Sequence, residues 1–303
     1  MGRITDLLNN YDIYSGNTDL LYDIFKSVND FEIPIVNYCI NPGTILVRQR
    51  VNISHKEFFK VADLSYPPSM KLSKHGRANI PYQSMFYACS FPMHSSDKEP
   101  YPRIVSLLET SAFFRDKTTK GIERSTISRW DVINKINLIA LPFSGLYKCP
   151  CLDILYIKKL WTELIADNNN INSDGLELIQ YMADEISKEL TSDKEYVKIA
   201  NFVNYLLHIN EKTKDADGII YPSVHAQGAG FNVSIKPHIA DKKLSFAGAS
   251  LCHLLKQQDK SYIAIMNHSL QNSNGTITYV KKQFDNQEQA IYSHYSYGLS
   301  FVN

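Results

Sequence analysis

The amino-acid sequence predicts an α+β protein, with short strands towards both ends and helices filling the middle. Three observations carry that prediction. Apolar and aromatic runs bounded by Gly, Pro or Asn occur at residues 44–51, 83–89, 218–221 and 231–235. Apolar residues recur at spacings of three and four between residues 152 and 208. No Gly-x-Gly-x-x-Gly or Walker loop is present, so a βαβ dinucleotide fold or a P-loop fold has no motif to support it.

The elements follow in order. Residues 1–43 read as an N-terminal helical extension, with Leu7, Leu8, Leu20, Leu21, Ile24 and Phe25 as its apolar positions. Its residues 19–28 look helical and 10–17 look like loop. Pro42-Gly43 makes a turn, and the strand at 44–51 opens the main domain, placed at 44–240. Residues 63–75 hold Pro67-Pro68 and little periodicity, hence loop. A short aromatic strand covers 83–89. The polar, proline-bounded stretch 95–102 is a surface loop. Ile104, Leu107, Leu108, Ala112 and Phe113 give 104–114 a helical pattern. One or two strands are expected, at 127–132 and 136–141. Helices are expected at 152–165, 174–190 and 195–208, punctuated by Asn168-Asn169-Asn170 and Thr191-Ser192; residues 152–190 read as a helical insertion. In the C-terminal extension, 241–303, residues 261–266, 275–281 and 289–301 alternate like hairpin strands, with Asn274-Gly275 as a turn. That extension is expected to pack on the main domain.

Composition excludes several classes of function. Of 303 residues, 44 % are hydrophobic and 21 % charged, which suits a folded chain. Lys+Arg is 32 against 31 Asp+Glu, so no bulk field draws the protein to nucleic acid. The 19 Tyr and 14 Phe do not interleave with basic residues into a single-strand stacking groove. No apolar run reaches the roughly 18 residues of a membrane span, and the acidic N-terminal stretch predicts no secretory leader. Five scattered cysteines suit a reduced, cytoplasmic protein. Cys149-Pro150-Cys151 has no second pair nearby, and no metal site is expected.

A few residues can carry chemistry. Arg77 lies in His75-Gly76-Arg77-Ala78-Asn79, where small neighbours leave room for a phosphate to reach the guanidinium; a loop-tying arginine is the other reading. Tyr87 offers a ring to stack on a base or nicotinamide, or a hydroxyl, or it is a core aromatic. Glu109 shares a helix face with Val105 and Phe113, where an acid is unusual unless paired or functional. It suits ribose binding or stabilisation of oxocarbenium charge, or it pairs with Arg115 or Lys117 on the surface. Ser223 follows Tyr221-Pro222 and can order Glu109 or a phosphate. No nucleophile elbow surrounds it, and nearby His225 has no evident orienting acid. Gly228-Ala229-Gly230, ahead of Asn232, is either a donor loop or an ordinary turn.

These pieces, in order, resemble the RES domain, named for its arginine, glutamate and serine. The match runs through Gly76-Arg77-Ala78-Asn79, Met85-Phe86-Tyr87-Ala88, Leu108-Glu109-Thr110, Asp217-Gly218-Ile219-Ile220-Tyr221-Pro222-Ser223 and Asn232-Val233, and spans roughly residues 44–240. Arg48 or Arg50 looks like the arginine that opens the domain. The resemblance implies an ADP-ribosyltransferase-like split β core and cleavage of NAD, the substrate, by water or phosphate. It assigns Arg77 to the phosphates, Tyr87 to the nicotinamide riboside, Glu109 to the ribosyl cation and Ser223 to ordering the glutamate. Arg48, Arg50, Asn79 and Asn232 complete the implied binding set. It also implies a toxin setting with an antitoxin protein as partner. This chain is longer than the compact toxins of that family, which sets the toxin–antitoxin context apart from the NAD chemistry. Two other readings stay open: an ADP-ribosyltransferase with a protein or nucleic-acid acceptor, and a nucleotide sensor without turnover. A homo-oligomer is compatible with all three.

Overall fold

The computed structural model describes residues 2–30, 32–90, 102–141, 147, 151–167, 171–190, 192–258, 260–270 and 274–302. The expected loop at 95–102 lies outside them except for Pro102, as do Cys149, Pro150 and Asn168-Asn169-Asn170. The chain opens with α1 (Arg3–Asn9), α2 (Thr18–Lys26), β1 (Val36–Ile40), β2 (Ile45–Val51) and α3 (Val61–Leu64). It continues through β3 (Phe86–Ser90), α4 (Pro102–Thr110), α5 (Ala112–Arg115), β4 (Gly121–Val132) and β5 (Ile136–Ala140). Three helices follow: α6 (Leu152–Asp167), α7 (Ser173–Ser187) and α8 (Val197–His208). Then come β6 (Gly218–Pro222), β7 (Phe231–Ile235), α9 (Pro237–Lys243), β8 (Leu244–Gln257), β9 (Lys260–Leu270), β10 (Thr278–Lys281) and α10 (Asn286–Ser296).

The strands join into one mixed sheet, ordered β1-β5-β6-β7-β3-β2-β4-β8-β9-β10. Among the described strands, β5 and β6 are the one parallel pair of neighbours. A parallel pair needs a crossover of a dozen residues or more, and α6, α7 and α8 supply it. The helical middle of the sequence is therefore the connection that builds the sheet. The tail continues the same sheet, because β8 pairs along nearly the whole of β4.

Helices cover both faces of the β1-β5-β6-β7-β3 half. Alternation sends Ile139, Ile219 and Tyr221 to one face, where they pack with α1, α2, α7 and α8. Leu138, Ile220, Val233 and Phe86 face the other way, towards Ile154 and Ile157 of α6 and Leu64.

Four local expectations are corrected. Residues 289–301 hold helix, not strand: α10 starts on a capping box in which the Asp285 side chain accepts from the Glu288 N–H. Residues 63–75 are not all loop, since α3 reaches Leu64 and a 3₁₀ turn covers Ser69–Lys71. Residues 36–40, within the expected helical extension, form the edge strand β1, paired with β5. β4 starts at Gly121, where polar Glu123, Ser125 and Thr126 are buried between β2 and β8. A polar strand centre hides the apolar alternation that marks most strands.

Candidate active site

The site grows from an interrupted ladder. β2 and β3 share two residue pairs, Leu46 with Ser90 and Val47 with Cys89, and then stop pairing. The Tyr87 carbonyl at this break accepts from Arg48 Nη1 at 2.6 Å, and Arg48 Nε reaches the Leu64 carbonyl at 3.1 Å. Buried carbonyls require such partners, so Arg48 holds the split open. The helix-covered face beside it receives Tyr87 and Cys89 of β3, Asn232 of β7 and Tyr221 of β6, by direct register. Ser106, Glu109 and Thr110 descend from α4, and Arg77, Tyr196 and His225 close the sides. Together with Arg48, Gln49 and Ala88 they line a cavity of about 240 Å³.

Glu109 is anchored from below. Ser223, fully buried, donates from Oγ to Glu109 Oε1 at 2.5 Å. The backbone N–H of His225 approaches the same oxygen at 3.4 Å. Ser223 Oγ in turn accepts from the Ala226 N–H at 3.2 Å. The serine hydroxyl is thus committed to the carboxylate and its own loop, with no hydrogen bond to the His225 ring. His225 lies 3.6 Å from Glu189 through Nδ1. Burial foremost lowers its pKa, against the raising pull of Glu109. Gly228 and Ala229 donate to the carbonyls of Ser223 and Ala226, so their N–H groups close an ordinary turn.

The arginine and tyrosine are tied in too. Arg77 Nη1 donates to the carbonyls of Ile186 and, at 3.1 Å, Lys188 at the end of α7. The last helical carbonyls lack partners of their own, and Arg77 supplies one. Its guanidinium also sits 5.4 Å from the Tyr196 ring centroid. Tyr87 donates to Asn79 Oδ1 at 2.7 Å and accepts from the Ala78 N–H at 3.0 Å. This lock fixes the Arg77 turn from the sheet. It also requires Gly76, where a Cβ would stand 2.4 Å from Asn79 Oδ1.

The expected residues therefore divide. Arg48, Arg77, Tyr87, Glu109 and Asn232 border the cavity. Asn79 and Ser223 lie behind it as supports for Tyr87 and Glu109. Arg50 is not part of it: its guanidinium bonds the Asp63 carbonyl and lies 4.9 Å from the Phe58 ring centroid. Gln49, Cys89, Ser106, Thr110, Tyr196 and Tyr221 were not anticipated. Cys89 gives its Sγ hydrogen to Asn232 Oδ1 at 3.0 Å, and burial foremost, then Glu109, raises its pKa. It is a buried thiol unsuited to act as a nucleophile. Gln49 had a readable signal: it follows Ile45 and Val47 on one face of its strand and breaks their apolar row.

A larger cavity of about 730 Å³ is walled by Ile45, Val47, Ile127, Cys252, Ile263 and Ile265, with no carboxylate among the described lining residues. Among the described residues no cluster of His, Cys, Asp or Glu is suited to a metal, and no helix is long and apolar enough to cross a membrane.

No model of a known protein family matches the chain, and no curated protein matches it.

Proposed function

We propose that this protein cleaves the nicotinamide–ribose bond of NAD, with water or phosphate as acceptor. The observation that carries the reading is Glu109, an acid held by buried Ser223 at the edge of a cavity it shares with Arg77 and Tyr87. The C1′–N bond breaks and its electron pair leaves with nicotinamide. Positive charge develops on the ribose, and a fixed carboxylate stabilises it. Water or phosphate then attacks C1′. With water the products are nicotinamide, ADP-ribose and one proton. Ser223 spends no charge of its own; it keeps one oxygen of Glu109 in place and leaves the other for the substrate.

The cavity volume fits one end of a dinucleotide, since whole drug-sized ligands occupy about 300–1,000 Å³. On this reading the nicotinamide riboside end enters and the remainder extends outside. Arg77 contributes an anchored guanidinium, with Nη1 spent on α7 among the described residues and its other N–H groups left for phosphate. The resemblance to the RES domain agrees with this assignment at Arg77, Tyr87, Glu109 and Ser223.

The test is product analysis. Purified protein is incubated with labelled NAD, with and without phosphate and with and without candidate protein and nucleic-acid acceptors, and products are separated by chromatography. Free nicotinamide with ADP-ribose, or with its phosphate ester, is the expected result. Label transferred to a macromolecule would move the assignment to an ADP-ribosyltransferase. Intact NAD in every condition would remove both.

A further inference from the structure

We propose that Gln49 recognises the carboxamide of the departing nicotinamide and so sets the substrate's identity. The proposal rests on the NAD reading above. Gln49 lies two residues past Val47, the last residue of β2 paired with β3. Alternation puts it on the face of Val47, Tyr87 and Cys89, at the mouth of the split. It borders the same cavity as Glu109. Gln49 is 2 % exposed, and neither Nε2 nor Oε1 meets a partner among the described residues. A buried amide without hydrogen bonds is costly, and a turn of the Gln49 side chain into the cavity would give it a ligand as partner.

The shape of the unmet demand selects the ligand group. A primary amide offers a donor and an acceptor side by side in one plane. A second carboxamide answers both at once, with two parallel hydrogen bonds. A single hydroxyl answers one at a time. A carboxylate accepts from Nε2 but sets a negative oxygen against Oε1. Gln49 therefore favours nicotinamide over nicotinate. Adenine also presents an adjacent donor and acceptor to glutamine. Glu109 decides between the two ends, because the acid must stand at the ribose whose ring leaves, and Gln49 shares its cavity.

The experiment compares kcat/KM for three dinucleotides: NAD, its nicotinic-acid counterpart and its hypoxanthine counterpart. Wild-type protein and Gln49→Leu are assayed, with thermal midpoints measured in parallel. Wild type is expected to prefer NAD to the acid by about tenfold or more, as sites built on paired polar groups do. Gln49→Leu should lose about tenfold on NAD, bring the NAD-to-acid ratio near one and leave the hypoxanthine ratio alone. Its midpoint should equal or exceed wild type, since an unpaired amide is removed. Should Leu impair folding, Gln49→Met, of equal length, is read by the same ratio. An active wild type whose variants keep their NAD-to-acid ratio overturns this proposal and spares the NAD reading. So does a lost preference for adenine instead. A wild type that turns over none of the three overturns both.

Discussion

Replacing Ser223 with alanine removes one hydroxyl and tests how the acid is held. The hydroxyl donates to Glu109 Oε1 at 2.5 Å and accepts from the Ala226 N–H at 3.2 Å, inside a fully buried site. A hydrogen bond to a charged group contributes about 1.5–3 kcal/mol. At about 1.4 kcal/mol per factor of ten, its loss should lower kcat about 10- to 150-fold if the bond counts in the transition state. KM should move little, because the serine does not border the cavity. Stability should fall by about 1–3 kcal/mol, since the Ala226 N–H loses its acceptor. The assay is initial-rate nicotinamide release, with a thermal melt on the same preparation. A Ser223→Ala enzyme within twofold of wild-type kcat at an intact fold would refute the claim that this bond positions Glu109.

Further expectations follow from the same contacts. Tyr87→Phe breaks the bonds to Asn79 and the Ala78 N–H and should cost about 1–3 kcal/mol, read by chemical denaturation; an unchanged midpoint would deny the lock. Gly76→Ala places a Cβ 2.4 Å from Asn79 Oδ1 and should lower thermal stability and NAD affinity together, through the Arg77 turn. Burial foremost lowers the pKa of both His75 and His225, so the folded state resists protonation more than the unfolded chain does. Stability is then fully present above the ordinary histidine pKa of about 6.5 and is lost as pH falls through that value towards the folded ones. Melts between about pH 7 and pH 5 should show the decline, and His225→Gln should shallow it. Arg50→Ala, away from the cavity, should leave KM for NAD unchanged, whereas Arg48→Ala should raise it by releasing the Tyr87 carbonyl.

Much of this architecture was readable where periodicity and burial agree. The helices of the middle have apolar stripes at helical spacing, Gly218–Pro222 is a compact apolar run, and Phe231–Ile235 alternates apolar and polar residues as a strand does. Legibility failed where context outweighed local preference. Ile291, Tyr292 and Tyr295 are residues that favour strands, yet Asp285 and Glu288 cap the segment and Tyr292 and Tyr295 pack on β8 and β9 as a helix. β8 is not legible in the sequence because Gly248 and small residues interrupt its alternation, while its pairing with β4 is long-range. In the site, Glu109 stood out as an acid on an apolar face. Ser223 reads as ordering Glu109 or a phosphate, and its hydroxyl donates to Glu109 Oε1 at 2.5 Å. The choice between Arg48 and Arg50 was not legible: both alternate to one face of β2, and the ladder break beside Tyr87 separates their roles.

On the proposed function, Glu109 drives cleavage of the nicotinamide–ribose bond. The direct measurement is single-turnover nicotinamide release by wild type and Glu109→Gln, with NAD binding measured separately by calorimetry. Wild type should release nicotinamide, and Glu109→Gln should lose about a hundredfold or more with NAD binding kept within a few fold. Equal release by the two proteins, or binding of NAD by wild type with no release, would contradict it.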